Sequence, residues 1–212
     1  MAFKGWPVEA VEFYEGLQAD NTKAYWQDHK SVYERCVRRP MEELLAELAA
    51  DFGEGRLFKP YRDVRFSKDK TPYKLNCAAH LPAGYVSFSA EGLFVGTGLH
   101  MPEPDQLRRF RAAVAADEPG SELESIIAVL RQGGYEVGAQ ELLKTPPRGY
   151  SNDHPRIGLL KHKGIVMSKS WPVGRWLGTK EAKQRVIACL GAGRPLNAWL
   201  ERHLGAGTTI GS

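Results

Sequence analysis

Lys59 to Leu75 reads KPYRDVRFSKDKTPYKL, and the fold turns on how this stretch is taken. Before it, apolar residues recur at the three- and four-residue steps of amphipathic helices; after it, they alternate. The period changes inside the stretch itself. Tyr61 to Ser67 is predicted as a strand, with Val64 and Phe66 on one face and Asp63, Arg65 and Ser67 on the other, and Ser67 to Pro72 as its connection onward. The same residues concentrate charge: Lys59, Arg62, Arg65, Lys68, Lys70 and Lys74 stand against Asp63 and Asp69. This local surplus equals the net charge of the whole 212-residue chain, +4, so the remainder is balanced. A concentrated positive field points to an anionic partner more strongly than a diffuse one does.

Upstream, Pro7 suits a first helical position, and Val8, Val11, Tyr14 and Leu17 trace an apolar face. Asp20 and Asn21 offer an N-cap for a second helix whose stripe is Tyr25, Trp26, His29, Val32, Tyr33, Cys36 and Val37. Pro40 is expected to end or kink it near Arg39. Met41, Leu44, Leu45, Leu48 and Phe52 then define a third helix that stops at Gly53.

Downstream, Leu75 to Ala79, Tyr85 to Ser89 and Leu93 to His100 read as strands joined at Pro82-Ala83-Gly84 and Ala90-Glu91-Gly92, which predicts an antiparallel meander of four or five strands. Leu107, Phe110 and Val114 mark the next helix, with Arg111 on the same stripe, where a cation must snorkel, pair or hold a ligand. Ser121 with Glu124 predicts a capping box for the helix that closes at Gly133-Gly134. A short strand follows near Tyr135 to Val137, and Leu142 to Pro155 is a turn-rich candidate functional loop. A short helix at Arg156 to His162, a strand at Gly164 to Lys169 and two helices, the first capped by Thr179 and the second started by Pro195, complete the chain. The expected whole is one α+β domain over residues 1–204, helices flanking the meander, with a disordered tail at 205–212.

Composition excludes several classes. No apolar run approaches the length of a membrane span, and Glu9 and Glu12 interrupt any signal-like start. Cys36, Cys77 and Cys189 are odd in number and widely spaced, which predicts reduced packing thiols in a cytoplasmic protein. Gly96-Thr97-Gly98 lacks the helix start and third glycine of a dinucleotide site and reads as close backbone packing or a bulge. The six histidines show no ligand spacing. No metal and no cofactor are therefore expected, although His80 and His100 sit at strand ends.

Three readings of the basic stretch stay open. Arg62, Asp63, Arg65, Lys68, Asp69, Lys70, Tyr73 and Lys74 can bind a small phosphate- or carboxylate-bearing ligand, with Arg111, Tyr150 and His154 reaching the same cleft. If there is chemistry, Asp63 or Asp69 is the candidate base and a lysine or His154 the acid. Alternatively, cations interleaved with Tyr61, Phe66 and Tyr73 can hold single-stranded nucleic acid, although a pI of 8.9 is modest for that role. The third reading is a salt-bridged structural hairpin.

RDVRFSKDKTPYKLN, Arg62 to Asn76, closely resembles the signature of a widespread, mostly bacterial family known as domain of unknown function 2461. NTKAYWQDHKSVYE from Asn21, VGTGLHMPEPDQLRRFR with Arg111, and Gly149-Tyr150 with His154-Pro155 are similar to other parts of the family pattern. The resemblance covers about residues 3 to 204. It departs at Asp20-Asn21, where a doubled asparagine is usual, and at Tyr25-Trp26, where tryptophan-phenylalanine is usual. It implies a single α+β domain and brings no activity, substrate or cofactor.

Overall fold

A computed structural model of the chain describes residues 2–65 and 68–205. Its sheet is built from β1 (Arg56–Leu57), β2 (Asn76–Leu81), β3 (Gly84–Ser89), β4 (Gly92–Leu99), β5 (Glu136–Gly138) and β6 (Ile165–Pro172), in the spatial order β1-β2-β3-β4-β6-β5. The architecture is α+β, an antiparallel sheet with flanking helices. Five of these strands, β2 to β6, fall on predicted segments; the two-residue β1 does not, because it is too short to carry any periodicity. The chain divides into two compact units, Met1–Val95 with Ser170–Ala188, and Gly96–Lys169 with Cys189–Ser212.

In the first unit, α1 (Val8–Ala19) buries Ala10, Val11, Phe13, Tyr14 and Leu17. Pro7 is its N-cap, and Val8, predicted on the apolar face, is 66% exposed. The next helix, α2 (Lys23–Val32), is capped by Thr22, whose hydroxyl accepts from Tyr25 N–H at 3.2 Å. Asn21, the expected cap, has a different task described below.

Pro40 neither ends nor breaks the helical path. Through a π-helical turn at Tyr33–Arg38, α2 passes directly into α3 (Arg39–Phe52), which carries Pro40 in its first turn. Arg39 N–H donates to the Glu34 carbonyl, five residues back. Proline has no N–H to give and its ring would meet the carbonyl one α-turn earlier; a wider turn relieves both conflicts. Met41, Leu44, Leu45, Leu48 and Phe52 are all buried on α3, and Gly53 stops it at φ 82°. Trp6 stacks on Phe88 of β3, with ring centroids 5.0 Å apart, while its indole N–H reaches the Val37 carbonyl at 3.3 Å. Aromatic rings thus pack the helices onto the sheet.

The hairpins of the meander follow prediction, with Leu81 opposite Gly84 and Cys77 opposite Phe88. The strand predicted from Tyr61 to Ser67 does not form across its described residues. Tyr61 makes an isolated bridge to Tyr73, flanked by Arg62 N–H to the Pro72 carbonyl and Lys74 N–H to the Pro60 carbonyl, both at 2.8 Å. Those contacts form the neck of a loop. Val64 is only half-buried, and Phe66 and Ser67 lie outside the described residues. Alternation failed as a signal here because the polar residues satisfy one another inside the loop and leave no ladder to extend.

In the second unit, α4 (Pro104–Ala115) turns Phe110 and Val114 inward. Its start is fixed by Gln106, whose side chain accepts from Glu103 N–H at 3.0 Å. The helix expected to begin at Ser121 begins earlier, as α5 (Asp117–Gln132). Ser121 and Glu124 are therefore inside it, and both bind Arg156. That guanidinium is 8% exposed; it donates to Glu124 at 2.9 Å, to Ser121 at 2.8 Å and to the carbonyls of Ala116 and Asp117 at 3.4 and 3.2 Å. Gly120 makes room, since a Cβ there would lie 2.7 Å from Arg156 Nε.

Gly98, at φ 123°, lets the backbones of β4 and β6 close together: a Cβ would fall 2.3 Å from the Ile165 carbonyl oxygen. Its neighbour Thr97 is fully buried and exchanges hydrogen bonds with Asn197 at 2.8 and 3.0 Å. Gly98 thus serves close packing, one of the two roles its setting predicted. Asn197 belongs to α8 (Arg194–Leu204), which buries Leu196, Trp199, Leu200 and Leu204 and follows α7 (Glu181–Ala192). The short helix expected near Arg156 is α6 (Ile157–Leu160). All three cysteines are buried and free. The predicted tail lies beyond Gly205, outside the described residues.

Candidate functional site

The basic loop is built on two local carboxylate turns. Asp63 accepts from Arg65 N–H at 3.2 Å, and Asp69 accepts from Thr71 N–H at 2.9 Å, the same two-residue step in each case. Each aspartate then binds an arginine. Arg65 forks onto Asp63 at 2.6 and 2.9 Å, while Arg62 pairs with Asp69 and donates to the Thr71 hydroxyl at 2.6 Å. Lys70 Nζ reaches the Val64 carbonyl at 2.9 Å. The Arg65 side chain and backbone hold the Asp63 carboxyl below its ordinary range. The Thr71 backbone and hydroxyl, with Arg62 after them, lower Asp69 to about 2.

The neck of the loop is anchored from a distance in sequence. Asn21 Nδ2 donates to the Tyr73 carbonyl at 3.0 Å, and Tyr73 N–H donates to Asn21 Oδ1 at 3.1 Å. The asparagine thus gives Tyr73 the pair of bonds a neighbouring strand would supply. Tyr73 is buried, and its ring stacks on Trp26 with centroids 4.3 Å apart and planes 7° from parallel.

Beside the neck opens a cavity of about 490 Å³ lined by Trp26, Lys30, Tyr33, Glu34, Arg38, Leu57, Phe58, Lys59, Pro60 and Tyr61. Trp26 and Tyr33 are buried and form its floor, whereas Tyr61 stands at the rim, 53% exposed. Burial pushes the Tyr33 phenol far above its usual pKa, and Tyr33 hydrogen-bonds the Cys77 thiol, itself pushed up to about 12 by desolvation. Both groups stay protonated at neutral pH. Arg38 is committed to Glu34 and Glu42, at 3.2 and 2.9 Å. The ammonium groups of Lys30 and Lys59, both exposed residues, have no hydrogen-bond or ion-pair partner among the described residues. Lys68 is likewise unpartnered within that set, and Lys74 Nζ lies 5.4 Å from the centre of the Phe58 ring.

Among the predicted site residues, the structure brings Arg62 to Asp69 and Asp63 to Arg65, and sets Lys74 and Tyr73 at the neck. Arg111, Tyr150 and His154 belong to the second unit. There Arg111 Nε donates to the Leu160 carbonyl at 3.2 Å, and its pKa is lowered by desolvation. His154 Nδ1 accepts from Arg156 N–H at 3.0 Å, with Tyr150 edge-on to its ring. A second cavity, of about 330 Å³, lies in that unit, bordered by His100, Met101, Leu107, Gln140, Lys163 and Val166 among others.

Lys30, Glu34 and Arg38 were not foreseen as site residues. With Trp26 they recur at every fourth position, one face of the helical path, and that spacing was the available signal. No group of three or more His, Cys, Asp or Glu residues placed to hold a metal ion occurs among the described residues. No described helix is long and apolar enough to cross a membrane.

The pattern of the conserved hypothetical proteins, DUF2461, matches residues 9–199. The chain belongs to the DUF2461 family. The match takes in both units, the whole basic loop and every residue of the neck cavity. No curated protein and no solved structure matches the chain.

Proposed function

We propose that this DUF2461 protein binds a small phosphate- or carboxylate-bearing molecule at the neck of its basic loop. The observation that carries the reading is the division of labour among the cations. The arginines of the loop are spent on its own aspartates, whereas the side chains of Lys30 and Lys59 have no partner among the described residues and line a cavity of about 490 Å³, a volume ordinary for small-molecule sites. Lys74, at the neck and against the Phe58 ring, extends the positive field beside the cavity. The three free, buried thiols support a reducing, cytoplasmic setting.

The reading is one of binding, and it is confined to the first unit; Arg111, Tyr150 and His154 do not enter it. Nucleic-acid binding is less favoured because Tyr73, one of its proposed stacking rings, is buried against Trp26. A thermal-shift titration with inorganic phosphate and with citrate tests the proposal. Ligand at a hundredfold excess over Kd should raise stability by about 2.7 kcal/mol and Tm by about 5–10 °C. The Lys30→Ala, Lys59→Ala double variant should fold normally and lose that rise. No shift with either anion, or an unchanged shift in the double variant, sinks the reading. Tight binding of single-stranded oligonucleotides that falls steeply with salt would transfer support to the nucleic-acid alternative.

A further inference from the structure

We infer that the neck cavity takes an acid that also carries a planar aromatic ring, and this deepens the anion-binding reading on which it rests. Charge alone does not account for what lines the cavity. Four of its lining residues are aromatic: Trp26, Tyr33, Phe58 and Tyr61. Two of them form a buried floor, so the ring surface offered to a ligand comes from Tyr61 and the half-buried Phe58.

Tyr61 is 53% exposed, yet it is held in place. Its backbone is bridged to Tyr73, and its ring lies 5.9 Å from Trp26 and 5.6 Å from Tyr73. A large side chain fixed at a rim has already lost much of its freedom, so a ligand that covers it does not have to order it. On Phe58, Lys74 lies against the ring, 5.4 Å from its centroid, and this cation polarises the ring toward a further flat partner.

The lysines set the other half of the chemistry. Lys30 and Lys59 are point charges without the planar fork of arginine, and Arg38 is occupied by Glu34 and Glu42. The acid group is therefore recognised by charge more than by two-point geometry, and phosphate and carboxylate are both admissible. Selectivity comes from the ring. Glu34 on the cavity wall is paired with Arg38, which weakens its repulsion of an entering acid.

Phenyl phosphate and methyl phosphate carry the same acid group and differ in the ring, and benzoate and acetate repeat the contrast with a carboxylate. Calorimetric titration of the full chain should find phenyl phosphate at least about tenfold tighter than methyl phosphate, in line with the worth of a single stacking contact. Tyr61→Ala should remove that advantage and leave methyl phosphate unchanged, whereas Tyr61→Phe should retain it. Should Tyr61→Ala fail to fold, Tyr61→Leu keeps apolar cover without a ring and must show the same loss. Equal affinities for the phenyl and methyl compounds overturn the ring inference while leaving the anion reading intact. Failure of all four compounds overturns both.

Discussion

Arg65 and Arg156 each bind a carboxylate, one in the basic loop of the first unit and the other in the second unit. The Arg65 side chain is 78% exposed and its partner Asp63 is 60% exposed. Arg156 is 8% exposed and has four acceptors, two of them backbone carbonyls at the start of α5. A density of charge in the sequence drew attention to the first, although water can replace nearly everything it does. The second sits among ordinary loop residues and is enclosed by protein. What distinguishes them is how many acceptors would be left without a partner, and local charge density does not report that.

Substitution can break this contrast. Arg156→Ala should have the largest effect, about 3 kcal/mol, seen as a fall in Tm of about 6–12 °C; a drop no larger than that of a surface variant would refute its role. Next comes Asn21→Ala, which strips both hydrogen bonds from the Tyr73 backbone and should cost about 1–2 kcal/mol. Because it loosens the neck, it should also speed amide exchange at Tyr73, and unchanged exchange would count against the anchor.

The smallest effects belong to the exposed pairs. Arg65→Ala should leave Tm where it is. Asp69 gives the pair a pH signature: its pKa is depressed in the folded chain, so its contribution is present above the ordinary value of 3.8 and is lost as pH falls toward about 2. A carboxyl titration by NMR should find that midpoint, and Thr71→Ala should move it back toward 3.8. A midpoint already at the ordinary value in the parent protein would mean that the Asp69 turn does not form.

Much of the fold was legible. The stripe from Met41 to Phe52 and the turns at Pro82-Ala83 and Ala90-Glu91 each reflect a local rule, one of period and one of turn chemistry. The errors arose where a local pattern served a distant partner. Ser121 and Glu124 have the spacing of a capping box but bind Arg156, and Asn21 has the chemistry of a cap but serves Tyr73. The alternation at 61–65 was real as a pattern and empty as a strand, because Asp63 and Arg65 close on each other. The candidate site was half legible: Lys59, Tyr61 and Lys74 stood in the conspicuous stretch, whereas Lys30 and Arg38 lay on a helix whose aromatic stripe drew the attention.

The π-helical turn at Tyr33–Arg38 also sets a phase. Each residue of an α-helix advances the chain by about 100° around the axis, so the wider turn makes α3 present a face about one residue out of step with a straight continuation of α2. Deleting one residue between Tyr33 and Arg38 would preserve a helix of nearly the same length and composition. Because the wide turn already takes up one residue, such a deletion would close it to an ordinary α-turn and leave Leu44 and Leu48 facing the core they now fill, with Trp26 still at the neck; its cost would fall on Pro40, whose ring would again meet the carbonyl one α-turn earlier. Over these six residues an insertion, which would turn α3 a further residue out of step, should therefore be far less tolerated than a deletion.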